Sequence, residues 1–187
     1  MLADAERWDS RYSGRATGEP RPPTGLTGIA IPEHGRCLDV ACGLGEQSLW
    51  AARLGFEVVA LDASPIAIAA LRAAAARHGV GERIDARVID LDGGLPDDIE
   101  ARCALVICQR FRDPRLYPSL VQAAEPGGLV VITVLSAVGT ASPGQFHAPA
   151  GELTDAFRAL DVEVLRSLEQ DGEATLVARR VSSPTRT

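Results

Sequence analysis

Two aspartates and two glycines occupy positions where chemistry could be done. Asp39 closes a short apolar run, Gly43 and Gly45 follow as Gly-x-Gly, and Asp62 closes the next apolar run. Glycines where a strand turns into a helix let a ligand approach the backbone. A carboxylate ending the adjacent strand can accept hydrogen bonds from two ribose hydroxyls. Asp39, four residues before Gly43, would repel a pyrophosphate and attract a cationic ligand part such as an amine. The chemistry suggested is the holding of a nucleoside with a positively charged appendage.

These residues need elements to position them. The spacing predicts a short helix over 3–13, then a Gly/Pro/Thr-rich loop over 14–35 with a helical turn near Leu26–Ile31. A strand–helix rhythm follows: a strand at Arg36–Val40, a helix at Glu46–Leu54 and a strand at Glu57–Leu61. Ser64-Pro65 reads as an N-cap with Pro in the first helical position, opening a helix that stops at Gly79. Strands are predicted at Ile84–Ile89, Ala104–Cys108 and Leu129–Leu135, with a helix from Asp113-Pro114 to about Ala124 that Pro126-Gly127-Gly128 ends. The alternation implies a parallel sheet covered on both faces. The rhythm then breaks: a helix at Gly151–Leu160 precedes two alternating runs flanking Asp171-Gly172. Asp-Gly between such runs signals a hairpin, so the sheet should end in an antiparallel pair.

Composition sets limits. The chain has 187 residues, 46% hydrophobic and 24% charged, with a net charge of −6. This suits one globular domain and argues against a nucleic-acid partner. All 19 basic residues are Arg, which removes Schiff-base chemistry and nucleotide loops ending in Lys. No run reaches the length of a membrane helix and no secretory signal is visible, so a cytoplasmic protein without a membrane partner is expected. Cys37, Cys42, Cys103 and Cys108 lack CxxC spacing; reduced, buried thiols are expected rather than a metal site, with Cys42 and Cys108 near each other.

Leu38 to Gly45 resembles the first motif of class I S-adenosylmethionine-dependent methyltransferases, Asp-x-Gly-Cys-Gly-x-Gly, with Ala41 in place of its first Gly. The resemblance continues through Asp62, Asp90-Leu91, the strand to Cys108, Pro126-Gly127-Gly128 and the final hairpin. It implies an α/β fold: a Rossmann-like, doubly wound, seven-stranded sheet of order 3-2-1-4-5-7-6 with strand 7 antiparallel. It also implies S-adenosylmethionine as cofactor, with Asp39, Ala41, Gly43 and Gly45 at its methionine end. Asp62 and Ala63 would lie at the ribose, and Asp90 and Leu91 at the adenine, with Asp92 a rival to Asp90. Cys108, Gln109, Arg110 and Phe111 would face the transferable methyl, with the backbone of Cys108 or Gln109 receiving the cofactor ammonium and Phe111 packing over the cofactor. Trp8-Asp9-x-Arg11-Tyr12 and Gly151-Glu152-Leu153 look like the tellurite-resistance and thiopurine methyltransferase branch. That branch carries a His-Arg pair between its last two strands, where this chain has Glu169-Gln170-Asp171-Gly172.

Several residues have two readings. Trp8 and Tyr12 either close over the cofactor as a lid or anchor the first helix. Arg110 either attracts an anionic acceptor or pairs with a nearby acid. His147, in the 138–150 loop that should border the acceptor, is either a general base or solvated. The expected organisation is an N-terminal helix and lid segment at 1–35, a catalytic domain at 36–181 and a disordered tail at 182–187. The expected activity is methyl transfer to a small-molecule acceptor, a thiol or other soft nucleophile being favoured because no secure general base is visible. The alternatives are a non-catalytic cofactor-binding partner protein and an NAD-dependent oxidoreductase, which would need a parallel sixth strand. Nothing in the sequence indicates an oligomeric state.

Overall fold

The computed structural model describes residues 2–99 and 102–181, residues 2–6 by backbone alone. The tail expected at 182–187 lies outside the described residues. Seven strands form one sheet in the order β3-β2-β1-β4-β5-β7-β6. They are β1 (Arg36–Val40), β2 (Glu57–Asp62), β3 (Ile84–Val88), β4 (Cys103–Gln109), β5 (Ala124–Leu135), β6 (Val162–Gln170) and β7 (Glu173–Arg180). β1 lies in the middle, parallel to β2 and β4, with Asp39 level with Ala60 and Ile107. β7 runs antiparallel to both β5 and β6. The hairpin takes its two-residue turn because Asp171 and Gly172 both accept positive φ, 51° and 81°.

The helices are α1 (Leu2–Tyr12), α2 (Glu46–Arg53), α3 (Pro65–Arg77), α4 (Tyr117–Ala123) and α5 (Glu152–Arg158). Strand side chains alternate between two cores. One face carries Leu38, Val40, Val106 and Cys108 against Leu120 of α4 and Phe157 of α5. The other carries Cys37, Ala60, Leu105 and Ile107 against Leu49 of α2 and Leu71 of α3. Both faces are thus covered, as the near-continuous apolar runs of parallel strands demand. Ser64 caps α3 by accepting the Ala67 N–H at 3.1 Å, with Pro65 in the first turn.

Three expectations need correction. β5 starts at Ala124, not Leu129, and contains Pro126-Gly127-Gly128. A Cβ on Gly128 would stand 2.7 Å from the Cys103 carbonyl, so Gly128 allows close approach to β4 where the ladder steps from Ala124 to Leu129. The segment near Leu26–Ile31 holds only a turn, Ile29 N–H to Leu26 O at 2.9 Å. Cys42 and Cys108 belong to the two different cores, Cys42 from the turn after β1 to the α2/α3 side and Cys108 from β4 to the α4/α5 side.

Candidate active site

The strands β1, β2 and β4 deliver their C-terminal ends to one edge, and the chain turns there at Ala41–Gly45. Ala41, Gly43 and Gly45 all have positive φ, 55°, 53° and 83°. The two glycines suit this conformation, and Ala41 adopts it against the preference of an L side chain. A Cβ on Gly45 would run into Leu71 of α3, so this glycine also lets α2 and α3 close up.

Two carboxylates converge on that turn. Asp39 is 1% exposed and accepts a 2.6 Å hydrogen bond from the Ser48 hydroxyl of α2. Burial pushes its pKa up to about 7, the Ser48 bonds oppose this, and the charge of Asp62 adds to it. Asp62 is 5% exposed. One of its oxygens accepts the Gly43 N–H at 2.8 Å and the other the Ser64 N–H at 2.9 Å. Its pKa is also raised, first by burial, with those N–H bonds opposing. Asp62 therefore ties the glycine turn to the start of α3, and each oxygen keeps a further lone pair for a hydroxyl donor. Ala63 carries the chain from Asp62 to the capping Ser64.

At the end of β3, Asp90 accepts the Asp92 N–H at 3.0 Å and caps the short turn Leu91–Gly93. Leu91 is buried beneath it. Asp92 faces Arg115 at 3.5 Å, which leaves Asp90 as the acid nearer the β3 end. At the end of β4, Cys108 is buried and its thiol points to the Phe111 carbonyl at 3.7 Å. Burial holds that thiol well above its ordinary pKa. Gln109 accepts the Thr24 N–H at 3.1 Å, which draws the N-terminal segment across the strand ends.

Arg110 has φ 59°, donates its N–H to Thr133 O at 2.7 Å and donates from Nε to Glu173 at 2.7 Å. Of its two readings the structure displays the ion pair. Arg112 is bidentate on Glu152, with Nε at 2.9 Å from Oε1 and 3.1 Å from Oε2. Tyr117 donates its hydroxyl to the same carboxylate at 2.9 Å. Phe111 is held between these two anchored arginines and packs on the α4/α5 core.

Helix α1 covers the glycine turn. Trp8 and Tyr12 stack at 5.9 Å and 20°. A Cβ on Gly43 would lie 2.9 Å from the Tyr12 hydroxyl, and Asp9 accepts a hydrogen bond from the Ser64 hydroxyl. Burial and the nearby Asp62 push the Tyr12 pKa up to about 12. The Arg7 guanidinium lies 5.0 Å from the Phe146 ring of the 138–150 loop. His147, in that loop, accepts the Gly144 N–H at Nδ1, 2.9 Å away, so this nitrogen is engaged in its own turn.

The sequence does not single out Ser48, Ser64, Arg112 or Glu169 for this site, and Glu152 stands out only within Gly151-Glu152-Leu153. Ser48 and Ser64 carry a local signal, each following a site aspartate at a helix start. The others act across long separations in the chain.

Residues 37–128 match a family described as methyltransferase domain. This chain carries a class I S-adenosylmethionine-dependent methyltransferase domain. It is 30% identical over 146 residues to a ribosomal protein L11 methyltransferase of Symbiobacterium thermophilum, covering 78% of this chain and 43% of that one. The chain spans less than half the length of that relative and of a ribosomal RNA small subunit methyltransferase C that it also matches. Among solved structures, TehB from Haemophilus influenzae superposes with a TM-score of 0.65 at 21% identity, over 83% of this chain and 59% of that one. A protein concerned with conversion of a disulfide bond into a thioacetal group during echinomycin biosynthesis superposes with a TM-score of 0.67 at 25% identity, over 95% and 93%.

The methyltransferase domain uses S-adenosylmethionine as its cofactor, and the donor set here fits that molecule. A buried carboxylate, once ionised, suits an ammonium that would offset its burial, a second carboxylate with spare lone pairs suits a ribose diol, and the Gly43 backbone admits close approach. The strand paired with β5 is the antiparallel β7, where an oxidoreductase would need a parallel sixth strand. No helix among the described residues is long and apolar enough to cross a membrane.

Proposed function

We propose that this chain transfers the methyl group of S-adenosylmethionine to a small acceptor, with a thiol or other soft nucleophile as the favoured class. The observation that carries the cofactor half is the convergence of buried Asp39 and Asp62 on one glycine turn. The sulfonium supplies the electrophilic methyl. Asp39 binds the cofactor's ammonium, Asp62 its ribose hydroxyls, and Asp90 with the Leu91 amide its adenine. The backbone at Cys108 and Gln109 lies beside the methyl, and Phe111 packs over it. Trp8 and Tyr12 exclude water from above. In-line transfer then needs alignment more than acid–base help.

The acceptor half rests on what the rim offers. Arg110 is paired with Glu173, Arg112 with Glu152, and His147 Nδ1 with Gly144. Among these described rim residues none is left as a ready general base, and a thiol, which ionises near neutral pH, has least need of one. The likeness to a protein concerned with disulfide-to-thioacetal conversion supports a sulfur acceptor. The test measures methyl transfer to matched thiols, phenols and carboxylates, with ribosomal protein and ribosomal RNA as further acceptors. Turnover of thiols before the others supports the reading. Inert thiols beside a methylated macromolecule would refute its acceptor half.

A further inference from the structure

Residues 137–150 leave the sheet after β5 and return at α5, and the two feet of this loop meet one carboxylate. Glu169, on β6, accepts the Ser136 hydroxyl at Oε1, 2.6 Å away. Its other oxygen accepts the Gly151 N–H at 2.8 Å. Ser136 is the residue just before the loop and Gly151 the residue just after it. The Ser136 hydroxyl also accepts the Val138 N–H at 3.0 Å, and the Ser136 carbonyl accepts the Thr140 hydroxyl at 3.2 Å. The backbone closes the same neck: Ala137 N–H to Ala148 O at 2.9 Å and Ala148 N–H to Leu135 O at 2.7 Å. At the far end of the loop, Phe146 meets Arg7 of the covering helix.

We propose that Glu169 is a positioning residue that clasps both feet of the 137–150 loop and thereby sets acceptor selectivity. The selectivity half rests on the reading above, in which this loop borders the acceptor. A single charged group bridges two points 15 residues apart in the chain, so the loop behaves as a closed hoop rather than an open strap. Charge-assisted bonds are the stronger kind, and both oxygens are engaged. Glutamine keeps the reach and can turn its amide oxygen to the Gly151 N–H and its NH2 to the Ser136 hydroxyl, but it loses the charge, so the clasp is weakened rather than removed. Alanine removes all of it. Glu169 touches neither Asp39 nor Asp62 in any recorded hydrogen bond, so the cofactor side should be unaffected.

The test compares wild type, Glu169→Gln, Glu169→Ala and Thr154→Val. The last removes the Thr154–Ser167 hydroxyl pair, 2.9 Å, which also joins α5 to β6 but away from the loop feet. Three quantities are read on the full chain: subtilisin cleavage within 137–150, S-adenosylhomocysteine affinity by calorimetry, and KM and kcat with thiophenol. Glu169→Ala should be cut about tenfold faster within the loop, because cleavage follows the open population. Glu169→Gln should fall between it and wild type, and Thr154→Val should match wild type. S-adenosylhomocysteine affinity should stay within about twofold, and KM for thiophenol should rise at least about fivefold with kcat nearly constant. Unchanged cleavage in Glu169→Ala would overturn the clasp. Parallel losses of cofactor affinity, KM and kcat would overturn the positioning role and mark Glu169 as merely structural. A wild type that binds S-adenosylhomocysteine but ignores thiophenol would count against the thiol reading, and cleavage would still judge the clasp.

Discussion

Replacing Asp39 with Asn should strengthen the empty protein and weaken cofactor binding, and both effects should depend on pH. The wild-type carboxylate is 1% exposed and its pKa is raised from 3.8 to about 7. An acid whose folded pKa lies above its unfolded one keeps a proton in the folded state that the unfolded chain has lost. Stability contributed at this site therefore falls as pH climbs from about 4 to about 7, and stays low above that. A shift of about 3 units corresponds to about 4 kcal/mol at most at pH 8. Asp39→Asn should recover much of that at pH 8 and almost none at pH 4, read by denaturant unfolding without cofactor. Binding an ammonium requires the ionised form, so below pH 7 the cofactor must expel the proton. Wild-type affinity for S-adenosylhomocysteine should rise about tenfold from pH 5 to 6 and about fivefold from 6 to 7. Calorimetry in buffers of different ionisation enthalpy should show close to one proton released at pH 5.5. The variant should bind more weakly and lack this slope. A variant less stable than wild type at pH 8, or identical pH slopes for both proteins, would refute the reasoning.

Other outcomes follow from the same geometry. Asp62→Ala leaves the Gly43 and Ser64 N–H groups without their acceptor, and should cost about 1–3 kcal/mol in stability per group as well as most cofactor affinity, measured by thermal unfolding and calorimetry. Ala41→Gly relieves a positive φ of 55° and should stabilise the protein by about 1 kcal/mol in denaturant unfolding, with cofactor affinity kept. Tyr12→Ala removes the hydroxyl over Gly43 and should speed S-adenosylhomocysteine release about tenfold in stopped-flow displacement, with little loss of stability.

The strand and helix succession and the closing antiparallel hairpin were legible in the sequence because their signals are local, whereas the strand order came from the family resemblance. The Asp171-Gly172 pair admits two successive positive φ values, and the apolar runs before it show which strands are buried on both faces. Asp39, Gly43, Gly45 and Asp62 were legible for the same reason: a strand end and the turn after it share a few consecutive residues. The helix α4 ends at Ala123, ahead of Pro126-Gly127-Gly128 as expected, but the early start of β5 was not legible, since a glycine that follows a helix and one that admits a neighbouring strand, as Gly128 does, look alike in one dimension. Glu152, Glu169 and Glu173 were not readable as site residues. They meet Arg112, Ser136 and Arg110 across separations of 40, 33 and 63 residues, and only the placement of α5 and the register of β6 and β7 bring those pairs together. The alternatives for Arg110 and His147 turned on such distant or loop-borne partners.

The central claim is that the Asp39–Asp62 turn holds an adenosyl cofactor with a cationic tail. Calorimetric titration of the purified protein with S-adenosylhomocysteine, and then with NADH, tests it most directly. The account predicts one-to-one micromolar binding of the first, lost in Asp62→Ala, and no heat from the second. Binding of NADH, or no binding of S-adenosylhomocysteine, would contradict it.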